Sequence, residues 1–312
     1  MRQRLLAMAL TLGLTMALIG GPGRSAEPTL RFADNANVGK LLLPPNNWSP
    51  AEGAMNGRFY HDARGAVPLP SGGQPVLLVA NDTVCEHLKV FRDLPANAVW
   101  AIDFSGCGLR GADLALLSGL KGLRRLDLQD TEISDEGLEN LQSLSSLESL
   151  CLASCGLNGS TLHTLSSLKK LRRLDFSSDH LRPQVYPVLE RFPLLSWLIL
   201  SHSAVNDQSL LYLGKLKNLY ELCLAHNLDV TDSGIKHLSD CRSLRRLDVN
   251  DTAVTVEGLL ALQHLPLQWL CIGDKLGGPA NLKRLHAAFP KAAIVLPKKR
   301  MNLPAEIFAP LH

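Results

Sequence analysis

The chain has 312 residues, 46% of them apolar, more than one ordinary domain needs for its core. Its net charge of +3 comes from Arg2, Arg4 and Arg24: of the 32 Lys and Arg, 29 lie beyond residue 25, matching the 29 Asp and Glu. A balanced chain with one short basic run, Lys298-Lys299-Arg300, lacks the field that displaces counterions from phosphates, so no nucleic acid is expected as partner.

Residues 1–25 read as a secretory signal. Arg2 and Arg4 precede a 15-residue apolar run, Leu5 to Ile19, and Gly20 to Ser25 form a small-residue exit. The run is short against the ~20 residues of a bilayer span. The expectation is an exported protein, periplasmic or extracellular, with no stable membrane span after signal removal. Residues 26–75 are rich in Pro, Gly and Asn, as in Pro44-Pro45-Asn46-Asn47, and lack a helical period, so they read as a loosely ordered lead-in. Residues 76–98 hold a predicted strand, Val76 to Ala80, and a predicted helix, Val84 to Leu94, together an N-terminal cap.

From Val99 onward Leu-x-x-Leu-x-Leu recurs, with starts at Val99, Leu123, Leu147, Leu171, Leu195, Leu219, Leu244 and Leu267, a period of 24 residues with one 25 and one 23. In the second unit Leu123, Leu126 and Leu128 predict a short strand, and Leu138, Leu141 and Leu144 a helix behind the N-cap residues Ser134 and Asp135. No unit can bury its apolar side alone, so the eight must stack. Asn281 to Phe289 predicts a closing helix, Ala293 to Leu296 an edge strand, and residues 297–312 a tail.

Leu-x-x-Leu-x-Leu-x-x-(Thr/Cys/Asn), followed by segments such as Ile133-Ser134-Asp135-Glu136-Gly137-Leu138 and Val230-Thr231-Asp232-Ser233-Gly234-Ile235, resembles the leucine-rich-repeat family. It is most similar to the subclass with a helical convex side, found in bacterial exported repeat proteins and in the cysteine-containing repeats of ubiquitin-ligase adaptors. For residues 99–296 the resemblance implies an α/β solenoid, with a curved parallel sheet on the concave face and helices on the convex one. It implies a binding module without naming the partner. The export signal argues against an adaptor role.

Counting each unit's first residue as zero, positions 3 and 5 point into the core and positions 2, 4, 6 and 7 toward the concave side. Cys107 and Cys155 fall at position 8, where the resembling family buries a small polar residue; Cys241 replaces a helix leucine; Cys151, Cys223 and Cys271 fall at position 4, on the expected concave surface. Like positions two units apart are separated by ~10 Å, beyond the ~7 Å Cα reach of a disulfide. No disulfide is expected among these six, and Cys85 stays open, with Cys107 its conceivable partner. Asp103, Asp127, Asp175 and Asp248 at position 4 stand beside Arg125, Arg173 and Arg246 at position 2, a lattice expected to pair with itself.

The later repeats differ. Position 2 brings Trp197, Glu221 and Trp269, position 4 brings Ile199 and Cys223, and position 7 brings His202, His226 and Asp251. Aromatic side chains facing solvent are what interface centres use, so these eight are the candidate contact residues for a protein or glycan partner. Two imidazoles and a carboxylate also fit a divalent ion. The first and third of them lie ~10 Å apart, however, too far for one ion, and neither metal nor cofactor is expected. Of the four sequons, Asn47, Asn81, Asn158 and Asn250, the last falls on the proposed face, which favours a bacterial exported protein. No Gly-x-Ser-x-Gly, His-Glu-x-x-His, phosphate loop or Cys-x-x-Cys occurs, and an open concave face excludes water poorly. The reading is therefore a non-catalytic monomer. The alternative is a metal-dependent or cysteine-based hydrolase at the Trp197, His202, Cys223 and His226 patch, with Cys223 as nucleophile and His202 or His226 as base.

Overall fold

Leucines at positions 0, 3 and 5 lose all solvent exposure, as with Leu123, Leu126 and Leu128 or Leu219, Leu222 and Leu224, and phenylalanine substitutes at Phe104 and Phe176. The computed structural model describes residues 29–32, 34–44, 58–70 and 76–297. The signal and nearly all of the tail lie outside them. The chain opens with β1 (Thr29–Arg31), β2 (Gly39–Leu43), β3 (Arg58–Asp62) and β4 (Ala66–Pro68). Then come β5 (Val76–Ala80), β6 (Val99–Asp103), and three-residue strands at β7 (Arg125–Asp127), β8 (Ser149–Cys151), β9 (Arg173–Asp175), β10 (Trp197–Ile199), β11 (Glu221–Cys223), β12 (Arg246–Asp248), β13 (Trp269–Cys271) and β14 (Ala293–Val295). From β5 to β14 the strands pair in parallel in chain order. The register keeps like positions side by side: Trp197 lies between Arg173 and Glu221, and Arg246 between Glu221 and Trp269.

The segment expected to be loosely ordered carries strands. β2 pairs antiparallel with β5, β3 with β2, and β1 with β4 in a second small sheet. Leu30, Val38, Leu41 and Val67 are fully buried, so this segment packs into the core and extends the sheet on the side of the cap strand β5 away from the first repeat. Gly39 permits the approach: a Cβ there would sit 2.2 Å from the Val79 carbonyl oxygen. The expected helix over Val84 to Leu94 is instead two 3₁₀ turns, Asp82–Glu86 and Leu88–Arg92.

The convex side also departs from a run of α-helices. Early repeats use 3₁₀ segments, Gly111–Leu117, Glu136–Ser143 and Leu162–Ser167. Later ones form short helices: α1 (Val185–Val188), α2 (Asp207–Leu213), α3 (Asp232–Ile235), α4 (Val256–Leu260) and the closing α5 (Pro279–Ala288). A strand and two turns leave few residues of a 24-residue unit for the return path, and the longer rise of 3₁₀ geometry spans the same distance with fewer. The segments pack closely, since a Cβ on Gly137 would lie 2.3 Å from the Gly111 Cα.

Two polar ladders tie the repeats. On the ascending side Asp207 accepts from the Thr231 amide at 2.7 Å and hydroxyl at 2.6 Å, and Asp232 treats Thr255 identically, at 2.7 and 2.6 Å. Thr231 and Thr255 in turn cap α3 and α4, accepting from the amides of Ser233 and Glu257. Inside, position 8 bonds the turns. Thr131 Oγ1 and Cys155 Sγ both donate to the Leu128 carbonyl (2.6 and 3.0 Å), Ser203 Oγ donates to Phe176 (2.7 Å), and Thr252 Oγ1 donates to Val249 (2.8 Å). Asn227 does most. Its Nδ2 donates to the carbonyls of Leu200, Leu224 and Ala225, and its Oδ1 accepts from the amides of Ser203 and Val205.

Replacing Asn227 by Ala orphans several buried groups at roughly 1–3 kcal/mol each, so Asn227→Ala is expected to lose about 3–5 kcal/mol in urea unfolding. Leu228→Ala, next in sequence and 70% exposed, is expected to lose nothing measurable. Equal effects from the two would show that the inner ladder is not what holds the turns.

Candidate binding face

Position 7 is where each strand ends and the chain turns, and it adopts the left-handed conformation in seven repeats: Gly106 (φ 71°), Asp130 (56°), Ser154 (58°), Ser178 (62°), His202 (54°), His226 (61°) and Asp251 (48°). Asp and His tolerate this region better than most residues, which explains the polar side chains there. The turns are fixed by backbone bonds, from the His202 amide to Ala225 (3.0 Å) and from the His226 amide to Asn250 (2.8 Å). Identical backbone geometry in successive repeats aims the two rings alike. They stack with centroids 4.2 Å apart and planes 8° from parallel. The column continues into Asp251, whose Oδ2 lies 3.1 Å from His226 Nδ1 and accepts from Asn250 Nδ2 at 3.3 Å. His202 and Asp251 are exposed and His226 half-buried, so the three expected neighbours do meet at the solvent.

Behind this column Trp197 and Ile199 are half-buried on β10, and Trp197 leans against Tyr220 with ring centroids 5.7 Å apart. Glu221 Oε2 is 2.8 Å from Arg246 Nε, and the Arg246 guanidinium lies 5.2 Å from the Trp269 ring centre. Two of the expected contact residues prove inaccessible. Trp269 is 4% exposed and packs with Cys271 and Val295 in an apolar cluster of its own, and Cys223 is 6% exposed with its Sγ 3.1 Å from Ser201 Oγ. Cys271 is buried as well. Side chains on strands about 4.8 Å apart shield one another, so a small thiol among larger neighbours does not reach solvent. Asn250, the sequon on this face, is also buried.

The charge lattice pairs in part as expected. Arg125 meets Asp127 at 3.4 Å and Arg173 meets Asp175 at 3.9 Å, but Arg246 reaches across to Glu221 on the next strand. The aspartates have a second task. Asp103, Asp127, Asp175 and Asp248 each accept from the amide two residues on, at 2.9 to 3.2 Å, forming the Asx turn that ends the strand. Tyr220, at position 1, escaped the sequence pattern. Alternation sends that position inward, yet β11 starts at Glu221, and Tyr220 precedes it in the turn.

None of the seven cysteines forms a disulfide. Burial pushes the Cys151 thiol up, with Asp175 and Asp127 adding to it, and pushes Cys107 and Cys241 to about 11. These thiols are protonated at neutral pH and do not have the character of nucleophiles. Among the described residues no group of three His, Cys, Asp or Glu is placed to hold a metal ion, and no helix is long and apolar enough to cross a membrane. Parallel stacked imidazoles also direct their nitrogen lone pairs into separate planes instead of toward one point.

A stack of strand-turn-helix units around a leucine core, with a polar ladder inside each turn, defines a repeat solenoid with an accessible concave rim. The leucine-rich-repeat profile matches residues 123–141 and 240–262, and the parallel strand ladder backed by convex segments gives the chain the architecture of a leucine-rich-repeat solenoid. Among solved structures it is similar to an internalin (inlF) from Listeria monocytogenes str. 4b F2365, at 20% identity and a TM-score of 0.53, covering 75% of this chain and 63% of that one. Internalin C2 from the same strain shares 19% identity at a TM-score of 0.48, over 65% of this chain and 83% of the other. At such identity the likeness concerns the fold. No curated protein matches.

Half-buried charge pairs are expected to couple more strongly than exposed ones. A double-mutant cycle on Glu221→Ala and Arg246→Ala in urea unfolding is expected to return about 1–2 kcal/mol. The exposed Arg284–Glu257 pair is expected to return no resolvable coupling. In thiol alkylation of the folded protein Cys85, half-buried, is expected to react first and Cys223 only on unfolding; rapid modification of Cys223 would revive a cysteine-based reaction.

Proposed function

We propose that the chain is an exported, non-catalytic binding module that holds a protein partner on the later half of its concave face. The contact set is Trp197, Ile199, His202, Glu221, His226 and Asp251, with Tyr220 added and with Cys223 and Trp269 withdrawn because they are buried. The observation that carries this reading is the His202–His226–Asp251 column beside the Trp197–Tyr220 pair. It offers flat aromatic surface, hydrogen-bond donors and a carboxylate on backbone fixed by the turn ladder. Side chains held in place before binding lose little entropy on contact, and aromatic groups supply large area for few rotors. The leucine-rich-repeat fold supports protein binding in general. Export rests on Arg2, Arg4 and the apolar run Leu5 to Ile19.

The test is crosslinking and mass spectrometry on the exported fraction, comparing wild type with a Trp197→Ala, His202→Ala, His226→Ala variant whose fold is checked by circular dichroism. A partner captured by wild type is expected to bind the variant at least about tenfold more weakly. If the same partners are retained at the same strength, the concave rim is not the site; if the chain is absent from the exported fraction, the signal reading fails.

A further inference from the structure

Position 8 of the fourth repeat is Asp179, 1% exposed, in the inner ladder that Thr131, Ser203 and Asn227 occupy elsewhere. Asp179 Oδ1 repeats the work of Asn227 Oδ1: it accepts from the Leu157 amide at 3.0 Å, as Asn227 Oδ1 accepts from the Val205 amide at 2.9 Å. The second atom differs. Asn227 Nδ2 is a donor and meets three carbonyl oxygens, at 2.7, 2.8 and 3.2 Å. Asp179 Oδ2, its counterpart, is buried and has no hydrogen-bond partner. An ionised carboxylate has nothing to donate, and in that place its second oxygen is cut off from water without a hydrogen bond in exchange. A neutral acid with its proton on Oδ2 can do what the amide does.

We propose that Asp179 is a proton-operated lock in the solenoid, closing the joint between the third and fourth repeats when protonated and loosening it when ionised. The groups around it act in the same sense. The Asp135 carboxyl, from the second repeat, adds negative charge, and the Cys155 thiol brings no positive one. Burial is the main cause that pushes the Asp179 carboxyl from 3.8 up to about 7, against the pull of the Leu157, Gly156 and Cys155 amides. The folded chain therefore holds a proton that the unfolded chain has released between pH 3.8 and about 7. Stability from this group is complete below that window and falls as pH rises through it, by up to about tenfold in the folding equilibrium per pH unit. The lock is independent of the partner proposed above.

The experiment is urea unfolding of the full chain from about pH 5 to about pH 8 for wild type, Asp179→Asn and Asp179→Ala, with infrared difference spectra over the same range. Asp179→Asn, which supplies the missing donor without charge, is expected to gain on wild type steadily toward high pH. Asp179→Ala is expected to show the same flattened pH profile at lower stability. Wild type is expected to lose a neutral-carboxyl C=O band as pH rises, and Asp179→Asn to lack that band. Parallel pH profiles for all three chains, or an unchanged infrared difference in Asp179→Asn, would overturn the proposal.

Discussion

A 24-residue unit cannot bury its own leucines, and everything else in this molecule depends on that shortage. Leu126 reaches zero exposure only because neighbouring units cover it. Stacking brings backbone turns into the same enclosed space as the leucines, and each turn carries amides and carbonyls that must be met. The position 8 ladder meets them, with a hydroxyl, a thiol or an amide according to the repeat. This is why the chain tolerates Thr131, Cys155, Ser203 and Asn227 at one structural place. All four can donate. Asp179 alone needs a proton to do so.

The same turns shape the surface. A left-handed residue at position 7 lets the chain leave the strand at one point in repeat after repeat, so side chains there rise in register. Where the residues are Ser154 and Ser178 the column is small and polar; where they are His202 and His226 it becomes an aromatic stack. The fold supplies the alignment, and the choice of residue supplies the chemistry. No additional element is required to build a rigid rim.

Much of this was legible in the sequence. The eight starts, the buried positions 0, 3 and 5, and the meeting of His202, His226 and Asp251 come from period and alternation alone. What was not legible has physical causes. Lateral shielding between adjacent strands depends on the sizes of neighbouring side chains, so Cys223 and Trp269 read as exposed from alternation and are buried in the fold. Asp127 and Asp175 read as partners of arginine, and they are, but their other oxygen closes a turn that no charge pattern signals. The strands near the start hid in Pro-rich and Gly-rich text, because Leu41-Leu42-Leu43 is too short to announce itself and pairs with Val76–Ala80 across a gap in sequence.

That early pairing has a consequence for how the molecule is made. β2 and β5 lie ahead of every repeat in the chain, and β6 docks on β5. The foundation is thus encoded ahead of the repeats that rest on it. The outermost strand, β3, is exposed along nearly its whole length and offers no leucine face on its far side. Among the described residues the leucine stack is therefore one-sided: β6 rests on β5, each later strand rests on the one before it, and the strands β2 and β3 close the opposite side.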